Sequence, residues 1–196
     1  MPRPPPIFLT RLKVRMESIV VSMFDHMYVT KRNGDRVQVS FNEVLTRIQR
    51  LAEGLPHVNP DLVAQKVCNQ IQDGIKTSEL DEFAAETCAM MQARHHPNYG
   101  KLAARIIIDN HQKLTPEIPT FESSMYSEEY RTLFKEHAST YLQMISWDRD
   151  FMFDYFGFKT LQKGYMLPGE RPQHMWMRVA IQLHGTNFGK VRETYD

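Results

Sequence analysis

Two adjacent basic residues, Lys31 and Arg32, lie beside a predicted tight turn and have the chemistry of an anion site. The dipeptide Asn33-Gly34 is typical of a type I′ hairpin turn, and segments 29–31 and 37–39 alternate as strands do. An arginine fork and a lysine point charge can together hold a phosphate group. The residue types leave a second interpretation open, in which this is an ordinary solvated surface hairpin.

Other residues that could carry out chemistry have simpler structural interpretations. The sequence has no GxxxxGK(S/T), GxGxxG, HExxH or GxSxG motif, so the common short catalytic signatures are missing. The pair His95-His96 is expected to complement the negative end of a helix rather than to bind a metal. The acidic residues around Arg149 are expected to form local ion pairs and helix caps. We therefore expect no metal in this chain.

Composition excludes several classes of protein. The 196 residues allow one sizeable domain or two small ones, and a net charge of +1 without a basic stripe argues against nucleic-acid binding. Cys68 and Cys88 lack any metal-binding spacing, which predicts buried reduced thiols. No apolar run approaches the roughly twenty residues that span a membrane. These features predict a soluble cytoplasmic protein that binds neither nucleic acid nor membrane.

Four amphipathic helices are predicted after the hairpin, each from apolar spacing and an N-terminal signal. They cover about 40–54, 59–73, 77–95 and 99–113. Ser40 and Glu43 predict a capping box on the first helix, and the hydroxyls of Thr77 and Ser78 are expected to cap the third. Hairpin and helices together predict one compact unit over residues 27–114.

The remaining segments have different compositions. Residues 1–26 are rich in proline and basic residues and are interpreted as an appended extension, because acidic residues argue against a transit peptide. Residues 115–124 have linker composition, and 125–196 are expected to be mainly helical. Helices are predicted over 128–135, 138–145 and 172–183, with a loop or short hairpin over 164–171. The last pattern has no stop signal, which predicts a fragment or truncated chain.

Several blocks of sequence resemble known families. The segments YVTKRNG (28–34), GIKTSELD (74–81), AAET (84–87) and YGKLAAR (99–105) resemble successive motifs of an ATP-cone domain. Segments DRDF (148–151), YFGFKTL (155–161) and ERPQHM (170–175) resemble the start of the large subunit of class I ribonucleoside-diphosphate reductase, of the eukaryotic and large-virus kind. The resemblance covers nearly all of 27–196. It implies a mainly α fold with a small β-hairpin cap, in which an ATP-cone four-helix unit precedes the helical N-terminal region that leads to the reductase barrel.

The same resemblance implies an allosteric function in deoxyribonucleotide synthesis. An ATP-cone binds ATP as activator or dATP as inhibitor and changes how large subunits assemble. The positions that match nucleotide contacts are Lys31, Arg32, Thr77, Asp81 and Lys113. Val37 and Glu43 depart from the family pattern. Glu43 would weaken phosphate binding by like-charge repulsion unless it turns away into the capping box.

The resemblance also implies partners and excludes catalysis by this chain alone. The catalytic cysteines of the family lie beyond the equivalent of Asp196, so the chain by itself is expected to be inactive. Implied partners are the remaining catalytic part of the large subunit, a radical-generating small subunit and further copies of the chain. A second hypothesis is a degenerate cone that only docks onto another reductase piece through residues 147–179. A nucleotide-sensing transcriptional regulator is disfavoured, because the four cysteines of a zinc ribbon are missing.

Overall fold

The computed structural model describes residues 27–118 and 125–196, which fold into helices with one small sheet. The first group of elements is β1 Tyr28–Thr30, β2 Arg36–Gln38, α1 Phe41–Leu51, α2 Pro60–Cys68, α3 Thr77–Arg94 and α4 Asn98–Leu114. The second group is α5 Glu128–Met144, a 3-10 helix Trp147–Met152, α6 Tyr155–Gly164, α7 Pro172–His184 and α8 Phe188–Tyr195. The predicted mainly α fold with a β-hairpin is confirmed. The predicted extension 1–26 and residues 119–124 of the predicted linker lie outside the described residues.

The hairpin forms where the sequence predicts it, but its turn differs. The antiparallel strands place Val29 opposite Val37. The Lys31 N–H donates to the carbonyl of Asp35 at 2.8 Å, and the Gly34 N–H donates to that of Lys31 at 2.9 Å, so residues 32–34 form the loop. Gly34 has a φ of 90°, whereas Asn33 has no positive φ. The type I′ prediction is wrong, because the Asn33 side chain accepts from the Asp35 N–H at 3.1 Å and stabilises the longer loop instead.

Replacing Gly34 with alanine is expected to lower the free energy of unfolding by about 1 kcal/mol. Space is not the reason, since no atom lies within 4 Å of an added Cβ. The φ of 90° is the reason, because a Cβ strains that backbone conformation. Gly164→Ala is the matched control, since that position is also open but has no positive φ. Equal unfolding midpoints and slopes for the two variants in urea would contradict this prediction.

The hairpin is attached to the segment that leads into α3. The Thr30 N–H donates to the carbonyl of Ile75 at 2.9 Å, and the Gly74 N–H donates to that of Tyr28 at 2.7 Å. Thr30 and Lys76 also form a parallel bridge. These bonds fix the basic turn beside the first turn of α3.

Two hydrophobic cores organise the described residues. The first joins the hairpin and α1 to α4, and it also takes in Tyr155 and Phe158 of α6. The second joins α5, α7 and α8 around the fully buried side chains of Tyr141 and Ile181. Because α6 contributes to the first core, the hairpin unit and the segment after residue 125 pack against each other.

Helix starts show where local signals suffice and where they do not. The Ser40 hydroxyl accepts from the Glu43 N–H at 3.4 Å, although Glu43 does not return a bond to Ser40, so half of the predicted capping box forms. The prediction of hydroxyl caps on α3 is wrong, because Lys76 is the N-cap and no side chain caps this helix. The bonds of the preceding segment to β1 fix where α3 begins.

The elements of the second half follow the sequence expectations. The two helices predicted over 128–135 and 138–145 form as the two parts of α5 Glu128–Met144, which kinks between them at His137 with a φ of −124° and a ψ of 20°. The segment between α6 and α7 contains no strand, which leaves the loop alternative of that prediction. The helix predicted over 172–183 forms as α7.

Two further observations concern chemistry and membranes. Burial raises the pKa of the Cys68 thiol to about 11 and that of Cys88 to about 12, so both buried cysteines stay protonated. In the described ranges, no helix combines the length and the apolar character that crossing a membrane requires.

Candidate functional site

A cavity of about 440 Å³ opens between the hairpin, α1 and the first turns of α3. Its apolar lining includes Val39, Val44 and Leu80. Its polar lining consists of Lys31, Arg32, Asn33, Ser40, Glu43, Arg47, Thr77 and Asp81. Volume, apolar surface and grouped cations are together typical of a site for a small anionic ligand.

The structure brings most of the sequence-predicted site residues together. Lys31 and Arg32 reach the cavity from the hairpin, and Thr77 and Asp81 reach it from α3. Lys113, near the end of α4, does not line the cavity. It connects to the cavity only through other charged side chains.

Asp81 holds two arginines of the cavity in place. Its carboxylate accepts from Arg47 Nε at 2.7 Å and Arg47 Nη2 at 2.9 Å, and from Arg32 Nη2 at 3.0 Å. Burial disfavours the charge on Arg47, but Asp81 and Asp109 outweigh that effect and raise the pKa of the guanidinium. The two arginines are therefore charged and pre-positioned at the cavity wall.

Two features of the cavity remain available to a ligand. Within the described part of the chain, the side chain of Lys31 forms no hydrogen bond or ion pair, and it is exposed. The first turn of α3 begins at Thr77 without a side-chain cap. The unpaired N–H groups of a helix start favour an anion. Lys31 thus offers an exposed cation to the cavity, and the start of α3 offers a fixed dipole to the same cavity.

Asp109 on α4 lies behind the cavity and collects three cations. Its carboxylate accepts from Arg47 Nη2 at 2.6 Å and Lys113 Nζ at 2.7 Å, and it lies 3.5 Å from Arg50 Nη2. Burial opposes ionisation, yet the hydrogen bonds and charges of Lys113 and Arg47 lower the pKa of Asp109. Asp109 is therefore ionised at neutral pH and links Lys113 to Arg47.

Sequence analysis missed three residues of this network, which are Arg47, Asp109 and Asn110. The side chain of Asn110 accepts a short hydrogen bond from Arg32 and donates to the carbonyl of Ser78 at 3.0 Å. Arg47 could have been found, since it follows Ser40 by two helical turns and shares its face. Asp109 and Asn110 gave no local signal.

The end of α4 continues from the site into the second half of the chain. Gln112 Nε2 donates to Asp150 at 2.8 Å, and Arg171 Nη2 donates to the carbonyls of Gln112 at 3.1 Å and Thr115 at 2.8 Å. His111 Nε2 lies 2.7 Å from the carbonyl oxygen of Glu170. Adjacent residues of α4 therefore contact the cavity network on one side and the following helices on the other.

No metal-binding group accompanies the cavity. Across residues 27–118 and 125–196, no set of three or more His, Cys, Asp and Glu side chains is arranged to hold an ion. The polar groups that line the cavity are basic side chains, hydroxyls, an amide and two carboxylates.

Comparison with protein families matches this arrangement in two consecutive segments. The ATP cone domain matches residues 27–114, which contain the whole cavity. The ribonucleotide reductase all-alpha domain matches residues 151–196. The chain joins an ATP cone to the all-alpha domain of ribonucleotide reductases. The cone thus supplies the cavity, and α6 to α8 belong to the reductase segment.

Individual relatives of the cone and its following domain are reductase large subunits. The chain is 39% identical to the ribonucleoside-diphosphate reductase large subunit of Arabidopsis thaliana over 191 residues, which cover 86% of this chain and 23% of the relative. It is 41% identical over 189 residues to that of Plasmodium falciparum, isolate Dd2, with 86% and 23% covered. For large chain 2 of Saccharomyces cerevisiae, identity is 38% over 192 residues, with 87% and 22% covered. The chain thus spans less than a quarter of the length of these relatives.

Proposed function

We propose that the cavity of the cone binds ATP or dATP and that the chain acts as an allosteric regulatory region of a ribonucleoside-diphosphate reductase large subunit. One observation carries this proposal: Lys31, Arg32 and Arg47 converge on one cavity at the uncapped start of α3. Separate cations and helix N–H groups are what a triphosphate requires. The apolar lining of the cavity suits a nucleobase, whereas its cations suit the phosphates.

Within this proposal the five matched residues have distinct functions. Lys31 contacts phosphate as a point charge, and Arg32 does so as a fork. Thr77 presents the start of α3, and Asp81 orients both arginines. Lys113 contributes when it leaves Asp109.

Calorimetric titration of the folded chain with ATP and with dATP tests the proposal. We expect saturable heat with both nucleotides and none with AMP, which lacks the charge of a triphosphate. Lys31→Met should weaken binding by roughly tenfold, because a hydrogen bond to a charged group is lost. Lys101→Met is the matched control, since Lys101 is exposed on α4 and does not line the cavity. Absence of heat with either nucleotide would refute the proposed function.

The wider function follows from the relatives and is part of the proposal. The chain would act in the cytoplasm with the catalytic part of the large subunit and a radical-generating small subunit, and nucleotide binding would change the assembly of large subunits. In this proposal, the reduction of nucleotides depends on those other parts of the enzyme. Sedimentation of the chain with and without each nucleotide would reveal a ligand-dependent oligomer.

An exposed apolar face favours a second candidate, in which the chain serves only as a docking fragment. Trp176, Val179 and Leu183 lie three and four residues apart on α7, and their side chains are 43%, 39% and 66% exposed. The occupant we propose is the remainder of a reductase large subunit, because the relatives are more than four times longer than the matched region. This candidate predicts co-purification with the complementary part of a large subunit and no nucleotide heat.

A further inference from the structure

Asp109 binds the cations that the proposed phosphates would need. Its carboxylate accepts from Arg47 Nη2 at 2.6 Å and from Lys113 Nζ at 2.7 Å. Both cations are partly exposed, with side chains 24% and 37% accessible, so neither is locked in a dry core. The Asp109 side chain is itself 20% exposed and is placed where solvent and ions can compete.

The two carboxylates of the network offset part of the positive charge of the site. Arg47 lies between the carboxylates of Asp81 and Asp109, and Lys113 lies beside Asp109 alone. A triphosphate carries several negative charges, and each phosphate that approaches Arg47 also approaches a carboxylate. Like charges at such distances repel, and in a partly buried site solvent screens them less.

We propose that Asp109 is an internal counter-ion of the nucleotide site, which holds Arg47 and Lys113 and competes with phosphate for them. This inference rests on the proposed function. On binding, Lys113 Nζ exchanges the Asp109 carboxylate for a phosphate oxygen, and Arg47 keeps its two bonds to Asp81. The competition reduces affinity, so Asp109 sets the nucleotide concentration to which the cone responds.

Asp81 and Asp109 differ in this respect although both bind Arg47. Asp81 lines the cavity and holds Arg32 and Arg47 at once, so its removal would release both arginines from their positions. Removal of the Asp109 charge leaves those bonds intact, including the one from Arg47 Nη2 to Asp81. It releases the second bond of that nitrogen, the ammonium of Lys113 and the more distant Arg50. Neutralising Asp109 is therefore the change that should tighten binding.

Calorimetric titration of Asp109→Asn with ATP and dATP tests the inference. We expect binding of both nucleotides to tighten by roughly tenfold relative to the unaltered chain, which is the scale of one ion pair that no longer has to be displaced. Glu79→Gln is the matched control, because the substitution removes one negative charge from α3. Among the described residues, Glu79 pairs only with Lys76, and it does not line the cavity. Its affinity should change by less than roughly twofold.

A second background isolates the contribution of Lys113. In Lys113→Met, the Asp109→Asn change should tighten binding less, because one of the released cations is missing. Denaturation curves establish that each variant is folded, and Asp109→Ala replaces Asp109→Asn if the amide disturbs the fold.

The outcomes separate this inference from the proposed function. If the unaltered chain binds nucleotide and the Asp109 variants bind equally or more weakly, Asp109 is not a competing counter-ion and the proposed function stands. If only the Asp109 variants bind nucleotide, competition by Asp109 is supported and the proposed function of the unaltered chain is refuted. If no variant and no unaltered chain binds, both ideas are refuted.

Discussion

Substitution of Arg47 by methionine is expected to abolish measurable ATP and dATP binding and to lower the free energy of unfolding by about 2 kcal/mol. Arg47 is the only described side chain that bonds to both Asp81 and Asp109. Without it, two carboxylates that are 10% and 20% exposed face each other with less compensation. Calorimetric titration measures the binding, and urea denaturation measures the stability.

Arg50→Met is the matched control for this prediction. Arg50 lies one turn along the same helix and also approaches Asp109, but at 3.5 Å and with a side chain 60% exposed. Its loss should change stability by less than about 0.5 kcal/mol, as exposed ion pairs usually do. Arg47→Lys tests the fork itself, because lysine keeps the charge and cannot bond to both oxygens of Asp81. Wild-type affinity in Arg47→Met would refute a phosphate-binding function for this arginine.

The second large effect is a loss of stability in mild acid that originates at His174. The free energy of unfolding should fall by about 3 kcal/mol as the pH is lowered from 6.5 to about 4. Burial and, to a smaller extent, the nearby Arg171 charge lower the pKa of His174 to about 4. The unfolded chain therefore takes up the proton first. Because the pKa of His174 is lower in the folded chain than in the unfolded chain, its contribution to stability is present above pH 6.5 and is lost as the pH falls towards 4.

The hydrogen bonds of His174 explain why its neutral form is preferred. Nδ1 accepts from the Arg171 N–H at 3.0 Å, so Nε2 carries the proton and donates to the carbonyl of Glu117 at 2.7 Å. A second proton on Nδ1 would point at the Arg171 N–H. Burial also lowers the pKa of His111, which acts in the same direction. Burial raises the pKa of Asp150, so its protonation in the folded state partly offsets the loss.

His174→Asn separates these contributions. The asparagine carbonyl can accept from Arg171 in place of Nδ1 and does not titrate, so the variant should be less stable at pH 7 but should lose less on acidification. His95→Asn makes the same change at an exposed position and should retain the full pH dependence. Denaturation at several pH values between 7 and 4 measures both. An unchanged slope in His174→Asn would assign the acid sensitivity to other groups.

Helix α4 connects the groups that these two predictions concern. Asp109 and Asn110 of α4 contact the cavity arginines, whereas His111 and Gln112 contact Glu170 and Arg171 of the reductase segment, and the Arg171 N–H donates to His174. A ligand that withdraws Arg47 or Lys113 from Asp109 therefore acts two residues away from the contact between the two segments. This adjacency gives the proposed allosteric effect a short physical route.

Much of the architecture could be predicted because its signals are local. Apolar spacing gave the four helices of the cone, and Ser40 and Asn59 mark helix starts whose side-chain bonds span only a few residues. The failures have two causes, an attachment to a distant segment and a competing local hydrogen bond. The start of α3 depends on the attachment of its preceding segment to β1, and Asn33 stabilises a longer turn than its pairing with glycine suggests.

The candidate site divides in the same way. Sequence patterns predict the basic hairpin, the order of the helices and, through the resemblance, four residues that line one cavity, which are Lys31, Arg32, Thr77 and Asp81. The packing of the helices establishes that Arg47 joins Asp81 to Asp109, that Asn110 binds Arg32 and that Lys113 is held away from the cavity. Periodicity and capping act between near neighbours, whereas an ion-pair network exists only after packing brings separate helices to one place.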